Sequence, residues 1–178
     1  MKSSIDEKIA LEHQAAKLFM RLYQQKFGVK MQHIWHNEPA KPDVSCYLQQ
    51  QRLDLEIAHL YGSEAEAMKI LGRELKGGTL EALQSLDHWP VAERLLQALN
   101  RLISNKAQKS YDSEKVWLVI RNAHPDWQAQ ELEQTPHLLK IPLKHPFEQI
   151  WLVADMTGQA GLVPLYPLST ANEKKEQN

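Results

Sequence analysis

The sequence predicts an α/β protein in which helices flank a mixed β-sheet. Two long segments have apolar residues at three- and four-residue spacing, as amphipathic helices do, and short strand-like segments follow each of them. The connection from the third strand through the second long helix to an apolar strand is a crossover, which joins parallel strands. These features predict the order helix, three strands, helix, strand, followed by further strands.

The first helix is predicted over Ser4–Phe27. Ser4 is the expected N-cap, with Glu7 three residues later completing a capping box, and Gly28 is the expected C-terminal stop. The apolar stripe that should face the core consists of Ile5, Ile9, Ala15, Ala16, Phe19, Leu22 and Tyr23.

Three strands are predicted next, in Val29–His36, Pro42–Leu48 and Arg52–Tyr61. A polar break containing Pro39 separates the first two, and Gln49–Gln51 is the expected turn of a hairpin between the second and third. In the third strand, alternation predicts one face of Leu53, Leu55 and Ile57 and an opposite face of Asp54, Glu56 and Ala58.

The second half of the chain is predicted to begin with a helix near Ser63–Leu71 and a loop at Lys76–Thr79. A second long helix is expected from Pro90 to Lys109, since its residues Val91, Leu95, Leu99, Leu102 and Ile103 form one stripe. Further strands are expected in Lys115–Arg121, which is apolar enough to be central, in Ile150–Met156 and in Leu162–Tyr166.

Composition indicates a soluble, cytoplasmic protein with one domain. A length of 178 residues suits a single domain over residues 1–170 with a polar tail at 171–178. The net charge of −1 provides no overall attraction to nucleic acid or to a membrane. The single cysteine, Cys46, excludes an intramolecular disulfide and a cysteine zinc cluster. The sequence has neither a membrane-length apolar run nor an apolar signal-peptide core.

Two carboxylates, Asp43 and Glu56, occupy strand positions where half-buried strands ordinarily have neutral residues. Burial of charge costs several kcal/mol unless the charge is paired or bound to a metal, so a divalent cation between them would explain both. A turn near Gln50 places them within about one pair of positions. Two alternatives remain: both are solvated on an open sheet face, or Asp54 replaces Glu56 as the ligand.

Each long helix has one charged residue in phase with its apolar stripe. Glu12 lies on the stripe of the first helix and Lys106 on that of the second. If both helices pack over the same side of the sheet, three carboxylates and one ammonium would converge there. The alternatives are that Glu12 lies at the edge of its stripe and that Lys106 extends to water at its helix end.

This pattern resembles the PD-(D/E)xK nuclease superfamily, also called restriction-endonuclease-like. The resemblance covers residues 12–121 and includes the order helix, three strands, helix, strand. Asp43 after Pro42 matches the first motif, Glu56 the acidic member of the second, and Glu12 the helical glutamate of many members. The motifs are short and degenerate, so most of the likeness depends on element order and on the phase of the helical residues.

The chain departs from the family pattern at the motif lysine. The residue two after Glu56 is Ala58, where the family has lysine. Some members supply this amine from a neighbouring helix, and Lys106 would fit such a displaced position. Lys41 is a second candidate.

The resemblance implies hydrolysis of phosphodiesters in nucleic acid, with DNA ahead of RNA. Asp43 and Glu56 would hold Mg²⁺ or Mn²⁺, and Glu12 would ligate a second ion or position a water. Lys106 would orient the nucleophile or stabilise charge on phosphorus. Because the net charge is near zero, a protein partner that recruits the nuclease, or a second copy of the chain, is also expected.

A rival from another class is a catalytically silent protein of the same fold that binds a protein or nucleic acid. The missing strand lysine and the neutral net charge favour it. A basic groove leading to Asp43 would favour the enzyme, whereas an apolar patch, or ion pairs that occupy Glu12 and Glu56, would favour the binding protein. The five tryptophans are interpreted as core or rim residues rather than base-stacking surfaces.

Overall fold

The computed structural model describes residues 3–39, 42–62, 90–127 and 129–168. These residues form an α/β protein with a six-stranded mixed sheet packed against three helices. The elements are α1 (Ser4–Phe27), β1 (Met31–His36), β2 (Val44–Leu48), β3 (Gln51–Leu60), α2 (Val91–Ala107), β4 (Val116–Asn122), α3 (Ala129–Gln134), β5 (Phe147–Val153) and β6 (Leu162–Tyr166), with a 3₁₀-helix over Thr135–Leu138.

The strands lie side by side in chain order. The β1–β2 and β2–β3 pairs are antiparallel, β3, β4 and β5 are parallel, and β6 returns antiparallel to β5. The parallel β3–β4 pair confirms the predicted crossover through α2, and every residue of β4 is buried, which confirms its central position. The short α3 and the 3₁₀-helix after it were not predicted.

The first helix has its predicted span but a different N-cap. Ser3 Oγ accepts from the Asp6 N–H, and the Asp6 carboxylate accepts from the Ser3 N–H, so the capping box is formed by Ser3 and Asp6 rather than Ser4 and Glu7. The difference arises because Ser4 is already helical. Gly28 ends the helix at φ 66°, as predicted for a left-handed cap. Ile5 in the first turn is 67% exposed and does not belong to the buried stripe.

The two long helices pack on opposite faces of the sheet, so the condition of a shared side, under which the charged residues would converge there, is not met. The alternating side chains of β4 show the division: Trp117 and Val119 join the core under α1, whereas Leu118 and Ile120 join the core under α2. The reason is that α1 needs an apolar surface. The strand β3 offers three consecutive alternate apolar residues on the side of Leu53, Leu55 and Ile57, which is the side that α1 covers.

Several predictions fall outside the described residues: the helix near Ser63–Leu71, the loop at Lys76–Thr79, the tail at 171–178 and the candidate Lys41. The strand predicted at Ile150–Met156 begins three residues earlier, as β5. Within the described ranges, no helix is long and apolar enough to cross a membrane.

Candidate metal centre

The candidate site lies where β2 separates from β3. The last pair of the β2–β3 ladder is Val44 with Leu55, so Asp43 and Glu56 are the next positions in register, as the hairpin predicts. Asp43 precedes the first residue of β2, and its Oδ2 accepts a hydrogen bond from the Ile57 N–H at 2.9 Å. The Asp43 carboxylate therefore accepts the hydrogen bond of a β3 backbone N–H at the point where β2 no longer pairs with β3.

Both carboxylates are buried, which contradicts the alternative of two solvated residues. Asp43 and Glu56 are each 4% exposed. The pKa of Asp43 is raised to about 7, first by burial and then by the negative charge of Glu56, with a smaller contribution from Glu12. The hydrogen bond from Ile57 and the charge of Lys106 act in the opposite direction. Negative charge is therefore crowded at this edge.

Lys106 reaches the site from the last turn of α2, as its phase predicts. Its Nζ lies 2.7 Å from Glu56 Oε1, and its side chain is 20% exposed. The second oxygen, Glu56 Oε2, is buried and has no hydrogen-bond partner among the described residues. One half of this carboxylate is thus paired, and the other half is open to a further donor or a cation.

Glu12 lies on α1, which packs on the opposite face of the sheet from α2, and its side chain is buried. Its Oε2 lies 3.4 Å from His36 Nε2 and its Oε1 lies 3.6 Å from Lys8 Nζ, an exposed lysine one turn earlier. Its negative charge acts on Asp43, so the helix brings it near the other carboxylates. Because α1 and α2 lie on opposite faces, the groups meet around the free edge of β3. Asp43, Glu56, Glu12 and Lys106 are called the edge cluster below.

Tyr111 belongs to the surroundings of the edge cluster and was not predicted. Its hydroxyl donates to the Lys106 carbonyl at 3.3 Å. Its pKa is raised by burial, by the negative charges of Glu56 and Asp43, and by the approach of its hydroxyl to the Glu56 carboxylate, so the phenol faces the cluster. Tyr111 lies in a polar segment four residues after α2, where no periodicity could have marked it.

Asp54, the alternative ligand, is buried on the same face but has its own partners. It stands opposite Ser45 in the β2–β3 ladder and accepts from the Ser45 hydroxyl. Arg52 Nε donates to the same Asp54 oxygen at 2.9 Å. Hydroxyl and guanidinium together satisfy this carboxylate without a metal.

The donor set of the edge cluster fits a divalent cation that keeps open positions. Among the described residues, no three His, Cys, Asp or Glu side chains form a group that could hold a metal by themselves. Mg²⁺ is ordinarily bound by one or two carboxylates, with water and substrate phosphate completing the octahedron. Asp43 and the unpaired Glu56 Oε2 provide such a pair, whereas Glu12 is occupied by its basic neighbours.

Comparison with known proteins provides no further guide to the activity. No family model, no curated protein and no solved structure matches this chain. The resemblance of the sequence to the PD-(D/E)xK nucleases therefore stays a prediction.

Proposed function

We propose that this protein is a Mg²⁺- or Mn²⁺-dependent nuclease with a restriction-endonuclease-like core. One observation carries the proposal: Asp43 and Glu56 are adjacent in register and buried, with Lys106 Nζ 2.7 Å from Glu56. This is the trio of two acidic ligands and one amine that the family chemistry requires. The amine comes from α2 and takes the place of the motif lysine missing at position 58.

Each residue of the edge cluster has a distinct part in this proposal. Asp43 and Glu56 would hold the cation, which when bound supplies Lewis-acid chemistry by lowering the pKa of water and neutralising phosphate charge. The hydrogen bond from the Ile57 N–H orients Asp43. Lys106 places an ammonium beside Glu56, where it would stabilise charge that develops on the phosphate. Tyr111 holds the chain at Lys106 by its hydrogen bond to the carbonyl.

A second candidate, the catalytically silent binding protein, is favoured by the ion pairs. Glu56 is paired with Lys106, and Glu12 with Lys8 and His36. The contacts of Glu12 fit this candidate better than the enzyme, because each of its oxygens already lies within 3.6 Å of a basic side chain. The pair of Glu56 fits both, since a catalytic amine must also lie beside the acidic ligand. The raised pKa of Asp43 and the unpaired Glu56 oxygen favour the enzyme.

The deciding experiment is calorimetric titration with Mn²⁺, followed by cleavage assays on DNA and RNA. We expect the unmodified protein to bind Mn²⁺ in the micromolar-to-millimolar range and to cleave nucleic acid in its presence. Asp43→Ala should lose both properties, because it removes one of the two available carboxylates. Lys106→Met should still bind Mn²⁺ but lose cleavage, because it removes the amine and leaves both carboxylates.

The matched control is Asp54→Ala, which removes a buried carboxylate from β3 on the same face as Glu56. It should bind Mn²⁺ as the unmodified protein does, provided that circular dichroism shows an intact fold. No Mn²⁺ binding by the unmodified protein would refute the metal-dependent nuclease and leave the binding protein as the explanation. The location of bound Mn²⁺ can be confirmed by its paramagnetic broadening of NMR signals from β3.

A further inference from the structure

A partly exposed aromatic surface lies beside the edge cluster and belongs to neither core. The rings of Trp35 on β1 and Tyr47 on β2 are 5.6 Å apart, and the His33 ring stands edge-on to Tyr47 at 6.2 Å. These three residues are called the aromatic platform. His33 has φ 58° at an irregularity of the β1–β2 ladder, which locally alters the direction of β1.

The aromatic platform occupies the same sheet face as Glu56. Trp35 stands opposite Ser45, and Ser45 stands opposite Asp54 and donates to it, so these side chains share one face. Alternation along β3 then places Glu56 on this face as well. Among the described residues, the core under α2 contains side chains from β3 to β6 and none from β1 or β2. The platform therefore lies on the part of the sheet that α2 leaves uncovered.

Trp35 differs from the other described tryptophans in its surroundings. Trp117, Trp127 and Trp151 are all buried in the two cores. Trp35 is partly exposed and belongs to neither core, although tryptophan gains most free energy when its ring is buried. A large aromatic ring kept partly in solvent next to a candidate phosphodiester site is a surface on which a planar ligand can stack.

Arg52 connects the aromatic platform to the candidate site. Its guanidinium carbon lies 5.6 Å from the centre of the Trp35 ring, and its Nε donates to Asp54. Beyond it, a groove of about 910 Å³ extends from Arg52 past Tyr111 to Lys115. Arg52 thus joins the groove to Trp35, and Tyr111 joins it to the edge cluster through its hydrogen bond to the Lys106 carbonyl.

From this arrangement we infer that the aromatic platform stacks unpaired bases, so that the substrate is single-stranded nucleic acid or an unpaired end. The inference rests on the proposed nuclease function and names its substrate class. Aromatic side chains stack on splayed bases because every base has a π-face, whereas the bases of a duplex are stacked on one another and unavailable. A duplex offers such a surface only its terminal base pair.

The charges around the groove indicate that stacking, rather than phosphate binding, supplies most of the affinity. Arg52 and Lys115 line the groove, but Asp112 and Glu114 line it too. With so few uncompensated cations, few counterions would be released on binding. Affinity should therefore fall only about tenfold or less between 50 and 200 mM salt, far less than for a protein with many phosphate contacts.

The test measures fluorescence anisotropy of labelled oligothymidylate about 12 nucleotides long, within the usual site size of single-strand binding proteins. A duplex of equal length and a matching RNA strand are measured alongside, with EDTA present to prevent cleavage. We expect the single strand to bind more tightly than the duplex. Trp35→Ala should weaken single-strand binding about 10- to 100-fold, whereas Trp35→Phe should retain most of it because a ring remains.

Phe27→Ala is the matched control. Phe27 is an exposed aromatic residue at the end of α1, and its ring packs on Trp151 on the opposite face of the sheet. This variant should bind oligothymidylate normally. Equal loss in Phe27→Ala and Trp35→Ala, or binding unchanged by Trp35→Ala, would overturn the inference. The RNA arm shows whether the platform also accepts ribose.

Failure of this inference and failure of the proposed function give different results. In one outcome, Mn²⁺-dependent cleavage occurs, duplex and single strand are cut equally, and Trp35→Ala changes neither rate. The proposed nuclease function is then supported and the role of the platform is refuted. If single strands bind in a Trp35-dependent way but nothing is cleaved with Mn²⁺, the platform does stack bases, but the protein binds nucleic acid without cleaving it. If cleavage is specific for single strands and falls with Trp35→Ala, both the nuclease function and the role of the platform are supported.

Discussion

Two carboxylate sites on one face of the β2–β3 ladder are buried to the same degree but differ in how their charge is satisfied. Asp54 accepts from Ser45 and Arg52. Two residues further along β3, Glu56 keeps one buried oxygen without a partner among the described residues, and its neighbour Asp43 has a raised pKa. Asp54 and Glu56 are both buried acidic residues on β3, but they differ in the number of hydrogen-bond donors near their oxygens.

This difference shows that burial of a carboxylate does not by itself mark a functional site. Asp54 is a structural residue because its partners compensate the desolvation of its charge. At Asp43 and Glu56, two acids share one ammonium from Lys106, and negative charge remains in excess. Perturbed, incompletely paired groups are characteristic of functional sites, where stability is given up for chemistry.

The largest expected contrast between the two sites is in catalysis. Glu56→Gln should lower Mn²⁺-dependent cleavage by at least about 100-fold, since even the outer partners of metal ligands cost 10- to 100-fold when removed. Asp54→Asn should lower the rate by less than about tenfold, because Ser45 and Arg52 already satisfy this carboxylate and it is not a proposed cation ligand. Steady-state cleavage of an oligonucleotide measures both. Equal losses in the two variants would remove the functional distinction between the sites.

Neutralising the two sites should change the free energy of unfolding in opposite directions. In EDTA at pH 8, Asp43→Asn should raise the free energy of unfolding by about 2 kcal/mol, because a neutral amide relieves crowded negative charge and can still accept from the Ile57 N–H. Asp54→Asn should lower it by about 1–3 kcal/mol through weakened bonds to Arg52 and Ser45. Urea unfolding measures both values, and shifts in the same direction would contradict the comparison.

The pH dependence of stability sharpens the comparison further. The folded protein holds the Asp43 proton up to about pH 7, so stability falls as pH rises from 4 to 7. His59 acts oppositely: burial, and secondarily the charge of Arg121, lower its pKa to about 4, so stability falls as pH drops below 6.5. Each slope is at most about 1.4 kcal/mol per pH unit, and the two oppose each other between pH 4.5 and 6.5.

Removing the titration of Asp43 should therefore reveal the opposite pH dependence of stability. We expect urea unfolding of the unmodified protein to give nearly constant stability between pH 4.5 and 6.5. Asp43→Asn should instead lose stability as the pH falls through that interval, because the opposing contribution of Asp43 is gone. The lowered pKa values of His59, His13 and His145 then all act in this direction. If this variant becomes more stable on acidification, the assignment of the raised pKa to Asp43 is wrong.

The smallest expected effect concerns Tyr111. Tyr111→Phe removes one partly buried hydrogen bond to the Lys106 carbonyl and should cost about 0.5–1.5 kcal/mol of stability. Tyr166→Phe is the control, since this tyrosine is exposed on β6 and should change stability by less than about 0.5 kcal/mol. If Tyr111→Phe instead abolishes cleavage with the fold intact, the phenol takes a direct part in the chemistry.

Much of the scaffold was predictable because it depends on local periodicity. The span of α1, the central position of β4 and the register that places Asp43 beside Glu56 all follow from repeats and from one hairpin turn. The in-phase position of Lys106 also predicted its contact with the site. The helix span and the hairpin register depend on a few neighbouring residues, so the sequence pattern was enough to predict them.

The sequence by itself thus determined the two long helices, the six strands, their order and the proximity of the two carboxylates. Tertiary structure alone decided that α1 and α2 cover opposite faces, that Asp54 is satisfied while Glu56 is not, and that Trp35 is left outside both cores. The physical reason is that burial and hydrogen bonding depend on which surfaces meet. That choice depends on the apolar surface of the whole sheet and is not encoded in the pattern of any single segment.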